Sequence, residues 1–312
     1  ALGMMATGSA QITTTDTFGS GANTFTIDFV TVGNAGNGND AGAGGGSYSS
    51  PYGGVDYVYR ISTYAISQND IATATAAGLA NVTAGAWTGD RPAANISWYE
   101  AAAFVNWLNT SNGHQAAYNL TFDSDSGWSM TLWSSEEAWQ LGGENLYRHK
   151  DAYYFLPSED EWYKAAFHQN DGVTANYWDY ATGSNTAPTP VAGGTASGTA
   201  VYNGQSGPAD VHLAGGLSPY GTMGQNGNVW EWSESAFDGI NNSSSESRAI
   251  RGGFWFCTGF DLRSSFRGSN DPSDEYSDIG FRVASVPEPS VALLVLMAGG
   301  AWLLRRRSKH SL

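Results

Sequence analysis

Alternating apolar and polar positions mark two strands near the start of the chain. In residues 24–32, Phe25, Ile27 and Phe29 fall on one face, which is the period of two expected of a half-buried strand. A second run rich in Tyr, Val and Ile spans residues 57–66 and predicts another strand. The stretch between the two runs is rich in Gly, Asn and Ser, so we expect a loop there.

Two helices are predicted from capping boxes. In such a box a Ser side chain accepts from a free helical amide, and a Glu three residues later reaches back to the Ser amide. Residues 97–100, Ser-Trp-Tyr-Glu, precede the run 101–108, and residues 158–161, Ser-Glu-Asp-Glu, precede the run 162–167. The Trp at the start of each helix is expected to anchor the core.

The middle of the chain is predicted to hold an insertion followed by long loops. Residues 110–152 form the predicted insertion, with a short helix that starts at Ser134 or Ser135. Residues 181–222 are rich in Gly, Ala, Thr, Pro and Ser, which predicts loops. The whole chain carries 40 Gly and only 14% charged residues, so we expect a loop-rich fold with little long helix.

The chain is strongly acidic outside its last residues. The formal net charge is −15, and four of the 14 basic residues lie in the last eight positions, where there are no acids. The remaining ten basic residues face 29 acidic ones, which gives a charge of −19. Such a surface repels phosphate backbones, so no nucleic-acid partner is expected. It suits calcium or a basic partner, and it also serves plain solubility.

Both ends of the chain indicate export. Residues 1–10 include small residues and predict the remnant of a secretory signal peptide, with a frayed apolar terminus as the alternative. The tail, residues 286–312, joins three elements in order. These are a Pro-Glu-Pro motif, an apolar run and an Arg cluster: Pro287, Glu288, Pro289, residues 291–304, Arg305, Arg306 and Arg307. As a helix the run spans about 21 Å, short of the roughly 30 Å bilayer core.

This tail resembles the PEP-CTERM sorting signal of Gram-negative bacteria. The resemblance implies a membrane-embedded exosortase as a partner and transient anchoring in the membrane through the tail helix. It also implies that the body reaches the cell surface or an exopolysaccharide matrix. An ordinary C-terminal anchor is the alternative, and it too places the body outside the cytoplasm.

Five strings, in order within residues 24–285, resemble the formylglycine-generating enzyme domain of the sulfatase-modifying-factor family. They are Arg-Pro-Ala-Ala-Asn-Ile-Ser-Trp (91–98), Phe-Leu-Pro-Ser-Glu-Asp-Glu-Trp (155–162), Gly-Asn-Val-Trp-Glu-Trp (227–232), Arg-Gly-Gly (251–253) and Gly-Phe-Arg (280–282). The resemblance implies an α+β fold of the C-type-lectin-like kind. Such a fold has short helices, twisted hairpins and many loops, and it is tied together by calcium rather than by disulfides.

The family resemblance implies calcium ligands at two places. The implied ligands are the carbonyls of Gly227 and Val229, the side chain of Glu231, and a second site at Asn176 and Tyr177. Calcium binds six to eight hard oxygens, many of them backbone carbonyls, so a turn ending in a carboxylate suits it. At the first site the family's further Asn ligand falls on Gly224, which offers only a carbonyl. The alternative is that Glu231 is a structural hydrogen-bond acceptor.

The resemblance also implies a copper chemistry that depends on two thiolates. Cys257 is the one cysteine of the chain and matches the first thiolate. The position of the second thiolate is Leu262, and the family's Ser after Gly-Gly is Phe254. Copper(I) prefers two soft sulfur ligands, so this set predicts a poor copper site. Cys257 is then a small buried hydrophobe, and a copper site completed by a substrate thiolate is the alternative.

Two functions follow from these observations. The first is a calcium-stabilised, non-catalytic binding or structural module, whose binding face is the loop around residues 261–278. Its candidate contact residues are Asp261, Arg263, Arg267, Asn270, Asp274 and Tyr276, and its ligand would be an exopolysaccharide or a protein. The second is a copper-dependent oxidase that makes formylglycine on a cysteine of an exported sulfatase or a similar substrate.

Overall fold

The computed structural model describes residues 12–41 and 51–287 of the chain. The predicted signal remnant, residues 1–10, and the tail from Glu288 onward, with its Arg cluster, lie outside the described residues. In residues 12–41 and 51–287 no helix combines the length and the apolar character needed to cross a bilayer. The helices of this part of the chain are α1 Gln68–Ala76, α2 Trp98–Ser111, α3 Glu159–Phe167 and a short 3₁₀ helix Val211–Leu213.

The described residues also form fifteen strands, most of them short. They are β1 Thr13–Ser20, β2 Asn23–Val32, β3 Tyr59–Ser62, β4 Asn119–Asp123, β5 Gly127–Thr131, β6 Ala138–Trp139, β7 Asn145–His149, β8 Tyr154–Phe155, β9 Thr189–Pro190, β10 Thr199–Ala200, β11 Trp230–Ala236, β12 Arg248–Arg251, β13 Gly268–Asn270, β14 Ile279–Phe281 and β15 Ala284–Ser285. A five-stranded sheet has the order β1-β2-β3-β15-β8, and a four-stranded sheet has the order β13-β12-β11-β14. The remaining strands pair two by two. The predicted α+β class is confirmed.

The first hairpin contains one predicted strand and one that the sequence did not indicate. β2 buries Ile27 and Phe29 and half-buries Phe25, as its alternation predicts. β1 pairs with it along its whole length, although Phe18 is the one fully buried side chain of that strand. β1 was missed because its Thr- and Asp-rich sequence has no apolar stripe, and pairing with β2 is what makes it a strand. The second predicted strand is shorter than expected, since β3 has four residues.

The two predicted capping boxes are present and begin α2 and α3. In each, the Ser side chain accepts from the amide three residues on and the Glu side chain accepts from the Ser amide. Trp98 and Trp162 are fully buried, as predicted. α1 was not predicted, although Ser67 and Asp70 form a third box at its start. Its exposed face is so polar that few apolar positions mark it.

The short helix predicted at Ser134 or Ser135 is wrong. The amides of Glu137 and Ala138 donate to the Ser134 carbonyl, which closes a single turn, and the chain then enters β6. Both residues of β6 are buried, and the Trp139 ring packs against Tyr57 and Phe155. Burial of this indole favours the extended strand over a continued helix.

The C-terminal family strings meet in the four-stranded sheet. β11 pairs antiparallel with β12 and parallel with β14, so Glu231 lies opposite Arg251 on one side and Gly280 on the other. Residues 181–222 contain only β9, β10 and the 3₁₀ helix as regular elements, in agreement with the predicted loops. The four-stranded sheet and the loops joined to it carry Glu231 and the candidate residues from Cys257 to Tyr276.

Candidate functional site

Glu231 on β11 and Arg282, just past β14, form a buried ion pair. Nε of Arg282 lies 2.5 Å from Oε2 of Glu231, and Nη2 lies 2.7 Å from Oε1. The indole N–H of Trp162 also donates to Oε2, at 2.6 Å. Both charged side chains are at most 1% exposed. The carboxylate therefore has its charge balanced and both oxygens bonded within the protein.

The calcium site predicted around Glu231 does not fit this arrangement. The guanidinium of Arg282 pairs with Glu231, which is the one carboxylate among the calcium ligands predicted at this site. It also donates to the carbonyls of Ser62 and Met223, each at 2.9 Å. A divalent ion beside that charge would be repelled, and it would have to displace the guanidinium to reach the carboxylate. These contacts favour an ion-pair role for Glu231, and calcium binding at this turn stays a prediction.

Gly227 and Val229 shape the turn that precedes β11. Gly227 has a φ of 77°, and a Cβ there would lie 2.2 Å from the carbonyl oxygen of Val201, so only glycine fits. Its amide donates to the Gly252 carbonyl at 2.7 Å, which ties this turn to the Arg-Gly-Gly string. Across residues 12–41 and 51–287, no three His, Cys, Asp or Glu side chains are grouped closely enough to hold a metal ion.

The carbonyl oxygens of Asn176 and Tyr177, the second predicted calcium site, bond within their own loop. Their carbonyl oxygens accept from the backbone and side-chain amides of Gln169, at 3.0 and 3.3 Å. The Asn176 side chain donates to Asp171 at 2.7 Å, and the other oxygen of Asp171 accepts from Thr174 at 2.5 Å. Protein donors thus satisfy these oxygens, and calcium binding here stays a prediction.

Cys257 lies in a small apolar cluster beside the four-stranded sheet. It is 8% exposed and packs with Tyr180, Tyr202, Leu262 and Phe254. The thiol accepts from the Phe254 amide at 3.2 Å. Burial raises the pKa of this thiol to about 12, and the nearby charge of an acidic side chain acts in the same direction. The sulfur is therefore a protonated thiol at neutral pH, whereas a metal ligand or nucleophile must be a thiolate.

The residues around Cys257 do not fit a two-thiolate copper site. A Cβ built on Gly253 would lie 2.9 Å from the Cys257 sulfur and 2.8 Å from a methyl carbon of Leu262, so the two side chains face each other across that glycine. Leu262 is fully buried and offers no electron pair where the second sulfur is needed. Cys257 thus occupies the position of a copper ligand, but as a buried, protonated thiol it has the properties of a core residue.

Arg267, predicted as a binding residue, is a buried structural residue instead. Its Nε and Nη2 lie 2.8 and 2.6 Å from the two oxygens of Glu159, and Nη1 donates to the Phe237 carbonyl. Arg251 of the Arg-Gly-Gly string binds the same carboxylate at 2.7 Å. Arg267 is only 8% exposed, so it cannot face a ligand. The loop folds back over Arg267 because the first turn of α3 supplies a carboxylate inside the body.

The first part of the predicted binding loop combines an internal cap with an exposed cation. Asp261 accepts from the amide and hydroxyl of Thr258, at 2.9 and 2.8 Å, which shapes the turn. Arg263 is exposed, and its guanidinium lies 5.4 Å from the ring centre of Phe260 while Nε donates to the Tyr180 hydroxyl. Arg263 is thus the predicted cation of this loop that is available to a ligand.

The second part of the predicted binding loop is mostly structural. Asn270 ends β13, and Asp274 closes a turn by accepting from the Asp271 amide at 3.2 Å. Both side chains are half-buried. Tyr276 is 48% exposed and keeps its ring available, while its carbonyl accepts from the Asn95 amide. The predicted residues therefore do not gather into one site.

A continuous surface of aromatic rings, not predicted from the sequence, lies beside Cys257. We call it the aromatic surface, and it consists of Trp87, Trp230, Phe254, Trp255, Phe256, Phe260 and Phe266. Neighbouring ring centres are 5.4 to 6.4 Å apart along it. Phe256 is 61% exposed and Phe260 is 57% exposed. Phe256 and Phe260 lie at the two ends of this series of ring contacts, with half-buried rings between them, and exposed apolar area of this kind often marks an interaction site.

The signal for this surface was present in the sequence as Phe254-Trp255-Phe256 followed by Phe260. These rings stand in a turn-rich segment with neither the period of a strand nor that of a helix, so no element can bury them all. Trp87 and Trp230 come from distant parts of the chain, and only the fold brings them to the same surface.

Comparisons with known proteins place these observations in a family. The chain is similar in structure to Treponema denticola variable protein 1, with 19% identity, a TM-score of 0.59, and 88% of this chain and 99% of that chain covered. It is also similar to CarF, at 21% identity and a TM-score of 0.55 over 84% and 99% of the two chains. PvdO from Pseudomonas aeruginosa aligns at 17% identity with a TM-score of 0.53 over 87% and 98%. At such identities the likeness concerns the fold alone.

A search of curated protein sequences finds no match. The family model described as the sulfatase-modifying factor enzyme 1-like domain matches residues 25–286, which is most of the chain. This match confirms the resemblance and the fold that were inferred from the five strings. The chain therefore belongs to the family of the sulfatase-modifying factor enzyme 1-like domain.

Proposed function

We propose that this protein is an exported, non-catalytic member of its family that binds an exopolysaccharide through the aromatic surface. The observation that carries the proposal is the pairing of a buried, isolated thiol with exposed rings immediately next to it. Phe254 belongs to both the Cys257 cluster and the aromatic surface, so the two features share a boundary. The surface can engage a ligand while the thiol stays inside.

The state of Cys257 supports the non-catalytic half of the proposal. Its raised pKa keeps the sulfur protonated, and Leu262 occupies the position of the second thiolate. Oxidation of a substrate thiol through copper would need both sulfurs deprotonated and directed at one ion. Neither condition is met by the residues that line this cluster.

The aromatic surface supports a carbohydrate ligand. Phe256 and Phe260 are two stiff rings with much of their area in water, and flat rings pack well against the apolar C–H faces of sugars. The exposed guanidinium of Arg263 lies over Phe260 and supplies hydrogen-bond donors for hydroxyl groups at the edge. The acidic chain, with a formal charge of −19 over residues 1–304, favours a neutral or basic polysaccharide over an acidic one.

Export and surface display form the remaining part of the proposal. β15 ends at Ser285, and Val286 is still docked through its amide to the Tyr153 carbonyl at 3.0 Å. The Pro-Glu-Pro motif starts at the next residue, so the proposed sorting signal directly follows the last described strand. A sorting enzyme of the exosortase type would act on that tail, and the body would remain at the surface or in the matrix.

Binding of neutral polysaccharides to the full chain tests this function. We expect retention in affinity electrophoresis with the native polysaccharide fraction of the producing cells, and at least a tenfold loss in a Phe256→Ala/Phe260→Ala variant. Phe122→Ala is the matched control, because Phe122 is 40% exposed but lies on the β4–β5 hairpin. Equal retention of the double variant would contradict the aromatic surface as the binding site. No retention of the unmodified chain would contradict the proposal that the ligand is a polysaccharide.

A further inference from the structure

A second concave site lies away from the aromatic surface, between the β6–β7 loop and the start of α3. It is a pocket of about 280 Å³. Its walls include Tyr57, Trp139, Glu144, Arg148 and Asp160. The loop that closes it belongs to the 110–152 segment, which the sequence marks as an insertion. The volume is near the lower end of small-molecule sites, so it suits one small organic group.

The guanidinium of Arg148 at this pocket is fully engaged. It lies 2.9 Å from Oε2 of Glu161 and 2.7 Å from Oε2 of Glu234, and all three side chains are at most 1% exposed. The Tyr57 hydroxyl also donates to Glu161, at 2.7 Å. One buried cation therefore faces two buried anions, and this group adds a net negative charge beneath the pocket. Arg148 is not available to attract an anionic ligand.

Asp160 carries a carboxyl oxygen that the surrounding protein does not satisfy. Oδ1 accepts from the Gly53 amide at 2.8 Å, whereas Oδ2 of this half-buried side chain accepts no hydrogen bond from residues 12–41 and 51–287 and is open to water in the pocket. Burial raises the pKa of Asp160 to about 6, and the charges of Glu159 and Glu161 add to the rise against the opposing charge of Arg251. The first turn of α3 already holds these three carboxylates, so its free amides do not call for a further anion.

We infer that this pocket binds a small organic cation through a primary ammonium group placed between Asp160 and Glu144. Glu144 is exposed at the rim, and Asp160 lies deeper. An ammonium donates three hydrogen bonds and would fill the free acceptor on Asp160 while balancing the excess negative charge. The rings of Tyr57 and Trp139, with centres 5.7 Å apart, form an apolar wall for the carbon part of the ligand.

This site is independent of the proposed polysaccharide binding, because the pocket and the aromatic surface have no residue in common. The charge arrangement also predicts what the pocket rejects. Phosphates, carboxylates and uronic acids would face Glu144, Asp160 and the negative group around Arg148. Neutral sugars would leave the charge unbalanced and gain only ordinary hydrogen bonds.

Titration calorimetry of the full chain with defined probes tests the inference. Glucosamine and butylammonium carry the same ammonium on a sugar and on an alkyl chain, and N-acetylglucosamine is the matched neutral probe. We expect at least one amine to bind, N-acetylglucosamine to bind at least tenfold more weakly, and Asp160→Asn to lose at least tenfold in affinity for the amine. If glucosamine alone binds, the ligand is an amino sugar; if butylammonium binds as well, the ammonium is recognised without the sugar.

Two further variants keep the test decisive. Glu144→Gln changes an exposed side chain, so it should fold normally and still weaken amine binding at least threefold. Asp125→Asn, in the β4–β5 turn, removes an exposed acid elsewhere and should change nothing. Absence of heat with both amines, equal affinity for the neutral probe, or full affinity in both pocket variants would overturn the inference. None of these results bears on the aromatic surface, whose binding is measured separately.

Discussion

Arg282 binds both carboxylate oxygens of Glu231 at the position where the family resemblance implies a calcium ion. The two contacts are 2.5 and 2.7 Å long, and neither side chain is reached by solvent. The guanidinium also collects the carbonyls of Ser62 and Met223. The guanidinium of Arg282 thus bonds to a carboxylate and to backbone carbonyls, which are the same oxygen types that a bound calcium ion would use. This side chain links Glu231 on β11 to the Ser62 carbonyl at the end of β3.

Glu231→Gln should destabilise the fold strongly, and the loss should not depend on calcium. The substitution leaves the buried guanidinium of Arg282 without a counter-charge, which costs about 3–5 kcal/mol. Urea unfolding followed by tryptophan fluorescence, with calcium and separately with a chelator, measures the free energy of unfolding under both conditions. We expect the loss of free energy caused by Glu231→Gln to be the same in calcium and in chelator.

The matched control removes both charges. Glu231→Leu/Arg282→Met should lose less free energy of unfolding than the sum of the two single variants, because neither charge is left alone. A calcium-dependent stabilisation that is present in the unmodified chain and absent in Glu231→Gln would show that calcium does bind here, contrary to the ion-pair assignment.

Leu262→Cys should create a two-thiolate copper(I) site. The two side chains face each other across Gly253, so the new sulfur would lie near that of Cys257. The loss of buried aliphatic carbon should cost on the order of 2 kcal/mol, which the body should tolerate. Competition with a chromogenic copper(I) chelator checks the prediction. Leu262→Ala gives the same truncation without the sulfur and should not bind copper; equal copper binding by both variants would contradict the two-thiolate geometry.

Lys164 should make stability rise with pH above 8. Burial lowers the pKa of this lysine from 10.5 to about 8, against the opposing effect of Asp56, and its ammonium donates to the Asn34 carbonyl at 3.0 Å. Between these pKa values the unfolded chain binds the proton and the folded chain does not, so the free energy of unfolding increases with pH. The slope is at most about 1.4 kcal/mol per pH unit.

Lys164→Met removes that slope and provides the control. Tyrosines titrate in the same range, so the difference between the unmodified chain and the variant is the quantity to follow by urea unfolding at pH 7.5, 9 and 10. We expect this difference to shift in favour of the unmodified chain as pH rises. A difference that is flat with pH would mean that the folded lysine keeps its ordinary pKa.

Asp160 should act in the opposite direction at acid pH. Its folded pKa of about 6 lies above the ordinary 3.8, so between these values the folded chain binds the extra proton. The contribution of Asp160 to stability is therefore full below pH 3.8 and is lost as pH rises through 6. Asp160→Asn should abolish this part of the pH profile, measured by thermal unfolding from pH 4 to 7. An unchanged profile would contradict the raised pKa.

The sequence predicted those elements whose local signals agree with the fold. The capping boxes of α2 and α3 depend on contacts within four residues, and both were placed correctly. β1 could not be predicted, because its strand character comes from pairing with β2. The helix at Ser134 was wrong because burial of Trp139 outweighed a local helical signal.

The site residues show the same division between local and long-range causes. The absence of a second thiolate beside Cys257 could be predicted from spacing alone, because Leu262 stands at the position of that thiolate. The burial of Arg267 was not, since it depends on Glu159, which lies 108 residues away in sequence. Trp87 and Trp230 likewise reach the aromatic surface only through the fold. Motif spacing thus identified the family, whereas the partners of each charged side chain required the three-dimensional arrangement.

The most direct test of the non-catalytic assignment is a turnover assay with copper(I). The full chain is reconstituted with copper(I) and oxygen and incubated with a cysteine-containing sulfatase peptide, and mass spectrometry follows conversion of the thiol to the aldehyde. Because Cys257 is buried and protonated and Leu262 stands in place of the second thiolate, we expect no conversion above that of a Cys257→Ser variant. Conversion by the natural chain that disappears in Cys257→Ser would contradict the assignment.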